Sequence, residues 1–167
     1  MQSSTPTNTH SNTVALTVLR ISVGLLFIVF GQYKVFGTEF TLHGGFQATL
    51  RDFIHSGAYP FMVPILQGIL AHAATLMAFL VAYGELLIGI SLLLGVLSRV
   101  ASLFGLSLML AMWLSGGYPG PHAAFWMYWG ASLNWSILAL CFVILIIGRP
   151  EDLWSLRRPR ATPPPPR

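Results

Sequence analysis

Glu85 is the one acidic side chain inside a long apolar run of this chain, residues 74–97. A carboxylate at that depth in hydrocarbon is expensive, so it marks a ligand, ion or proton site by default. Two cations, Arg20 and Lys34, lie in a second apolar run, residues 14–36. At ~1.5 Å per residue, Glu85 lies ~21 Å from Arg99 at the edge of its run, while Arg20 and Lys34 lie ~9 Å and ~30 Å from Val14. Glu85 therefore falls between the two cations in height, and either can reach it. Three roles stay open for it: a buried ion pair that orients two helices, the polar floor of a ligand pocket or proton acceptor for a redox ligand, and a protonated, hydrogen-bonded acid. Arg20, near an interface, also suits a snorkelling arginine.

Other chemistry-bearing residues are sparse. His43, His55 and His122 fall in separate loops with no HxxxH or HxxE spacing, so no metal site is expected. His72 sits ~140° around its helix from Glu85, facing out of a bundle. The single cysteine, Cys141, excludes a disulfide framework. Trp126 and Trp129 read as interface anchors, and Asn134 as a polar group seeking a partner across helices. There is no GxGxxG, P-loop or haem-type histidine pair.

The elements that must position these residues follow from composition. The 167 residues are 54% hydrophobic and 8% charged, against about 25% charged in soluble domains. The lipid bilayer is therefore the expected solvent. Five of the nine Lys and Arg follow the last apolar run, which reads as a cytoplasmic tail near anionic lipid, not as a nucleic-acid surface. The expected organisation is a disordered segment at 1–13, with no cleaved leader, a four-helix transmembrane domain at 14–149, and a basic, Pro-rich tail at 150–167. Spans are expected at 14–36, 73–97, 100–114 and 131–147. The apolar stretch 64–97 would reach ~50 Å against a ~30 Å hydrocarbon core, so it either projects from the bilayer or breaks near Gly68. Phe46, Leu50, Phe53 and Ile54 at helical spacing suggest a short amphipathic helix in the first external loop, with an ordinary loop as the alternative.

Each span carries one stripe of small or polar residues: Arg20, Gly24, Phe27, Gly31 and Lys34; Ala71, Ala74, Ala78, Ala82, Glu85 and Gly89; Ser98, Ser102, Gly105, Met109 and Met112; Gly130, Asn134, Leu138, Cys141 and Gly148. In lipid, small stripes let helix backbones approach closely. The expected fold is an all-α four-helix bundle with these stripes inward and both termini cytoplasmic. The first loop and the aromatic loop around Pro119 then share the outer end.

The segments LRISVGLLFIVFGQYKVFG, GGFQATLRDF and YGELLIGISLLLGVLSRVASLFGLSLML resemble the DoxX/DoxD membrane proteins. YWGASLNWSILAL is most similar to the DoxD branch, the small subunit of thiosulfate:quinone oxidoreductase. The resemblance spans about 19–149. It implies a prokaryotic plasma-membrane (inner-membrane) subunit that works with partner polypeptides and passes electrons from thiosulfate to quinone. The matching polar positions are Arg20, Lys34 and Glu85. With Trp129 and Asn134 they form the candidate quinone-binding set, and Glu85 is the candidate catalytic residue. The rival expectation is a non-catalytic structural subunit of a larger membrane complex. A small-solute carrier is disfavoured by the lack of an inverted repeat.

Overall fold

The computed structural model describes residues 6–130 and 132–148, all helices, turns and loops. The basic tail expected at 150–167 lies outside the described residues. Among the described residues, the helices are, in order, α1 (Pro6–Phe36), α2 (Gly45–Ser56), α3 (Val63–His72), α4 (Ala74–Leu94), α5 (Ser98–Gly116), α6 (Met127–Gly130) and α7 (Leu133–Gly148). Among the described residues, three segments are long and apolar enough to cross a membrane: 12–36, 74–94 and 98–116. The apolar α7 has 16 residues, a length of ~24 Å. The chain is thus a multi-pass membrane protein.

The helices pack as two antiparallel pairs, α1 with α4 and α5 with α7, joined more sparsely by α4–α5 and α1–α7. Leu16 of α1 lies against Gly148 of α7, and Arg99 at the start of α5 donates to the Ile146 carbonyl at 3.3 Å. The start of α1, the α4–α5 turn and the end of α7 therefore share one end of the bundle. At the other end, the loops meet. Tyr59 N–H donates to Leu114 O at 3.0 Å and Tyr118 N–H to Gly57 O at 2.8 Å. The Tyr59 and Tyr118 rings meet at a tilt of 51°, with centroids 5.0 Å apart. The expected joint roof of first loop and aromatic loop is present in this reciprocal strap.

Several boundaries differ from expectation. The first helix starts at Pro6, inside the segment expected to be disordered. Proline is suited to a first turn, where its missing N–H has no intrahelical partner to lose. The long apolar stretch breaks at Ala73 (φ −140°), and Gly68 stays helical. A mid-helix glycine costs only about 1 kcal/mol. With the break at Ala73, Leu66 of α3 joins Phe46 and Leu50 of α2 in one buried cluster. The amphipathic expectation for α2 is met, and its apolar face lies on α3 and α4. The α4–α5 turn is Gly95-Val96-Leu97, and Ser98 and Arg99 already belong to α5. Gly95 (φ 70°) lets Val96 N–H reach Ser91 O and its own N–H reach Leu92 O, the pairing that closes a Schellman terminus.

Two apolar clusters result. One, toward the shared-terminus end, centres on Val23, Phe27, Ile88, Leu92, Phe142 and Leu145. The other, toward the loop end, centres on Phe46, Leu50, Leu66, Ala74 and Ala78. On α4, Glu85 falls between Ala78 of the second cluster and Ile88 of the first. The charged pair described next occupies that seam.

Candidate functional site

Two glycine contacts set the site. A Cβ on Gly31 would sit 2.6 Å from Leu86 N, and one on Gly89 would sit 2.7 Å from Ile28 N. Only glycine permits this backbone-to-backbone approach, the small-residue packing expected of helices in lipid. It fixes the register of α1 on α4, and that register puts Lys34 beside Glu85. Lys34 Nζ donates to Glu85 Oε1 at 2.6 Å. The structure thus selects Lys34, not Arg20, as the partner of Glu85.

Glu85 is 5% exposed. Its second carboxylate oxygen, Oε2, is buried with no hydrogen-bond partner among the described residues. Lys34, whose side chain is 20% exposed, sits in the last turn of α1, where an ammonium also meets the negative end of the helix dipole. Its Nζ stands 5.0 Å over the Phe40 ring. The arrangement is asymmetric: one carboxylate oxygen is held by a lysine, and the other is left for a hydrogen-bond donor. Chemically it can accept a hydroxyl proton at Oε2 and offer an ammonium N–H to a carbonyl.

The other candidates lie elsewhere. Arg20 is completely buried, which replaces the expected snorkelling placement. It is 14 positions before Lys34, ~21 Å along α1, and stands at the far end of the α1–α4 contact. Trp129 is exposed and packs on Trp113 with centroids 5.2 Å apart, while Trp113 Nε1 donates to Tyr128 O. Asn134 is exposed, contrary to the inward stripe expected for it. The buried face of α7 is Ala139, Phe142 and Leu145. Phe142 is fully buried, contacts the open face of Gly105 and meets Phe27 edge-on. A large side chain on α7 fills the space that a small one on α5 leaves. We expect Asn134→Leu to change the thermal midpoint in detergent by no more than a ~0.5 kcal/mol surface effect. A large loss would mean Asn134 is buried by a partner.

Phe40 was not among the candidates by type, because an aromatic six residues past a lysine has no chemical signature. The turn after Gly37 brings it back over Lys34: Gly45 N–H donates to Glu39 O and Phe46 N–H to Phe40 O, both at 3.0 Å. Buried polar groups also occur at Thr17, Ser98 and Ser102, the last two on the inward stripe of α5.

A groove of ≈ 620 Å³ runs between α4 and α5, lined by Leu80, Gly84, Leu87, Val100, Phe104 and Ser107 among others. It is almost wholly apolar, and Glu85 does not line it. Glu85 is one position, ~100°, around α4 from Gly84, so the groove and the ion pair are different faces of one helix. At the loop end, burial pushes the Tyr59 phenol above its usual range, and Tyr128 and Tyr118 beside it push the same way. The Tyr59 phenol therefore stays uncharged near neutral pH. Among the described residues, no group of three or more His, Cys, Asp or Glu side chains is placed to hold a metal ion.

No curated protein and no solved structure matches the chain. Residues 15–117, more than half of the sequence and including Arg20, Lys34, Phe40 and Glu85, match the DoxX family. The glycine-set register of α1 on α4, with the ion pair it creates, lies wholly inside that match, and the chain belongs to the DoxX family.

Proposed function

We propose that this protein is the membrane subunit of a quinone-linked oxidoreductase, with the quinone headgroup meeting the Lys34–Glu85 pair. The carrying observation is Glu85 Oε2: a carboxylate oxygen, buried, with no partner among the described residues. Leaving such an acceptor unsatisfied costs about 1–3 kcal/mol or more for a charged group, and a donor of the right shape recovers that loss. A quinol hydroxyl is such a donor, and it is soluble in the hydrocarbon where the pair sits. Lys34 Nζ would meet the carbonyl of the oxidised form.

Reducing a quinone takes two electrons and two protons. Glu85 can pass a proton; the electrons come from a donor subunit, with thiosulfate as the substrate suggested by the DoxD-like segment at 128–140. The α7 segment completes four spans, and the excess of arginines after it sets the termini toward the cytoplasm. In membranes carrying Glu85→Gln or Lys34→Met, thiosulfate-dependent quinone reduction should fall at least tenfold with the protein still present. Normal turnover in both variants would sink this reading.

A second reading has its own observation. The Gly31 and Gly89 contacts close α1 on α4 along the whole stripe, as in a subunit whose polar residues only hold its helices together. Under that reading the same variants would lose co-purifying chains, and turnover would fall only in step with assembly.

A further inference from the structure

Lys34 has an easier place to go than Glu85. Its four-carbon stem leaves the last turn of α1, and 20% of its side chain already meets solvent. A lysine there would ordinarily extend toward the interface and keep its ammonium hydrated. In this structure the ammonium turns to the carboxylate instead, and the other group it faces is the Phe40 ring, 5.0 Å from Nζ to the ring centroid.

We infer that Phe40 is a positioning residue, whose ring face holds the Lys34 ammonium on Glu85 and ties the site to the amphipathic helix α2. Three observations carry it. The ring lies within the ~6 Å reach of a cation–π contact, which strengthens when the cation is desolvated. The ring is itself fixed, edge-on to Phe46 of α2 with centroids 5.4 Å apart, and Phe46 is buried at 6% exposure. The segment carrying it is folded back by backbone bonds, from Leu42 N–H to Thr38 O at 2.7 Å and from Phe46 N–H to Phe40 O at 3.0 Å. Thr38 takes a left-handed conformation (φ 48°) in that turn, one that a β-branched residue rarely adopts. The chain accepts this strain, and Phe40 comes to rest over Lys34. The linkage runs α2, Phe46, Phe40, Lys34, Glu85. A shift of α2 therefore loosens the ammonium and releases Oε1, the one carboxylate oxygen that it holds.

This rests on the Lys34–Glu85 pair being the site, but its test needs no quinone, so the two ideas fail separately. The test is zero-length crosslinking of the full-length protein in detergent with an apolar carbodiimide. The reagent activates Glu85, and the neighbouring Lys34 amine displaces it, leaving an amide and a urea. The Lys34–Glu85 crosslinked peptide is then quantified by mass spectrometry. Replacing Phe40 by 3,4,5-trifluorophenylalanine keeps the shape and drains the negative ring face; the crosslink should fall at least threefold. Phe40→Leu should fall further, and Phe40→Trp should restore it to the wild-type yield or above. Yields that match wild type in the fluorinated protein overturn the inference. So does a drop in Phe40→Trp as large as that in Phe40→Leu, because the ring would then act by packing alone.

Discussion

Lys34→Met is expected to be the most destabilising change at the ion pair, by about 3 kcal/mol, and Glu85→Gln to cost only about 1–2 kcal/mol. The asymmetry comes from burial. Removing the lysine leaves a carboxylate at 5% exposure with neither oxygen satisfied, and the acid escapes only by taking up a proton. Removing the acid leaves an ammonium on a side chain that is only half-buried and still faces the Phe40 ring. It can swing out at little cost. Breaking a fully buried pair costs about 3–5 kcal/mol, and the half-buried lysine puts this one at the low end. The double variant Lys34→Met/Glu85→Met should recover most of the loss, because an apolar pair needs no compensation. Unfolding midpoints in detergent should rank wild type, double variant, Glu85→Gln, Lys34→Met. The reverse order for the single variants would mean that Glu85 is held by something other than Lys34.

Gly31→Val should be at least as damaging, and for a different reason. The atoms it meets are Leu86 N at 2.6 Å and Leu86 Cα at 2.9 Å. These are backbone and cannot rotate away, so α1 must move bodily off α4. Overpacking typically costs about 1–3 kcal/mol, occasionally more. Here the top of that range applies, because the movement also strips Lys34 from Glu85 one turn away. Gly89→Val meets Ile28 N and Gly24 O at 2.7 and 2.8 Å and should behave alike. Gly84, one position from Glu85, has nothing within 4 Å. Gly84→Ala should be neutral or stabilising by up to ~1 kcal/mol from helix propensity. Unfolding midpoints of the three variants check this. Equal effects at positions 31 and 84 would show that glycine content matters and α1–α4 contact does not.

Much of this was legible in the residue pattern. Most of the α1, α4 and α5 stripes is buried as their periodicity suggests, with Lys34 and Met112 half-buried and Ala71 of the α4 stripe left exposed on α3. Small residues at helical spacing in lipid have few other uses. The choice between Arg20 and Lys34 was not legible. Counting residues from each end treats two helices as level, whereas Gly31 opposite Leu86 slides α1 along α4 until Lys34 meets Glu85. That offset depends on which glycines interlock, and sequence spacing within one helix does not contain it. Asn134 is exposed because the inward placement of small and polar residues does not extend to every helix. On α7 the reverse holds: Phe142 fills the space left by Gly105, so complementarity between neighbours outweighs a single-helix rule. The break at Ala73 has no proline or glycine to announce it; it follows from how α3 packs on α2.

The central claim is that the quinone headgroup meets Lys34 and Glu85. A photoreactive azidoquinone applied to the protein in proteoliposomes tests it directly. Label should map to the end of α1 around Lys34 and to α4 around Glu85, be displaced by unmodified quinone, and fall at least tenfold in Glu85→Gln. Label that maps instead to Leu87, Val100 or Phe104 in the α4–α5 groove, and persists in Glu85→Gln, would contradict it.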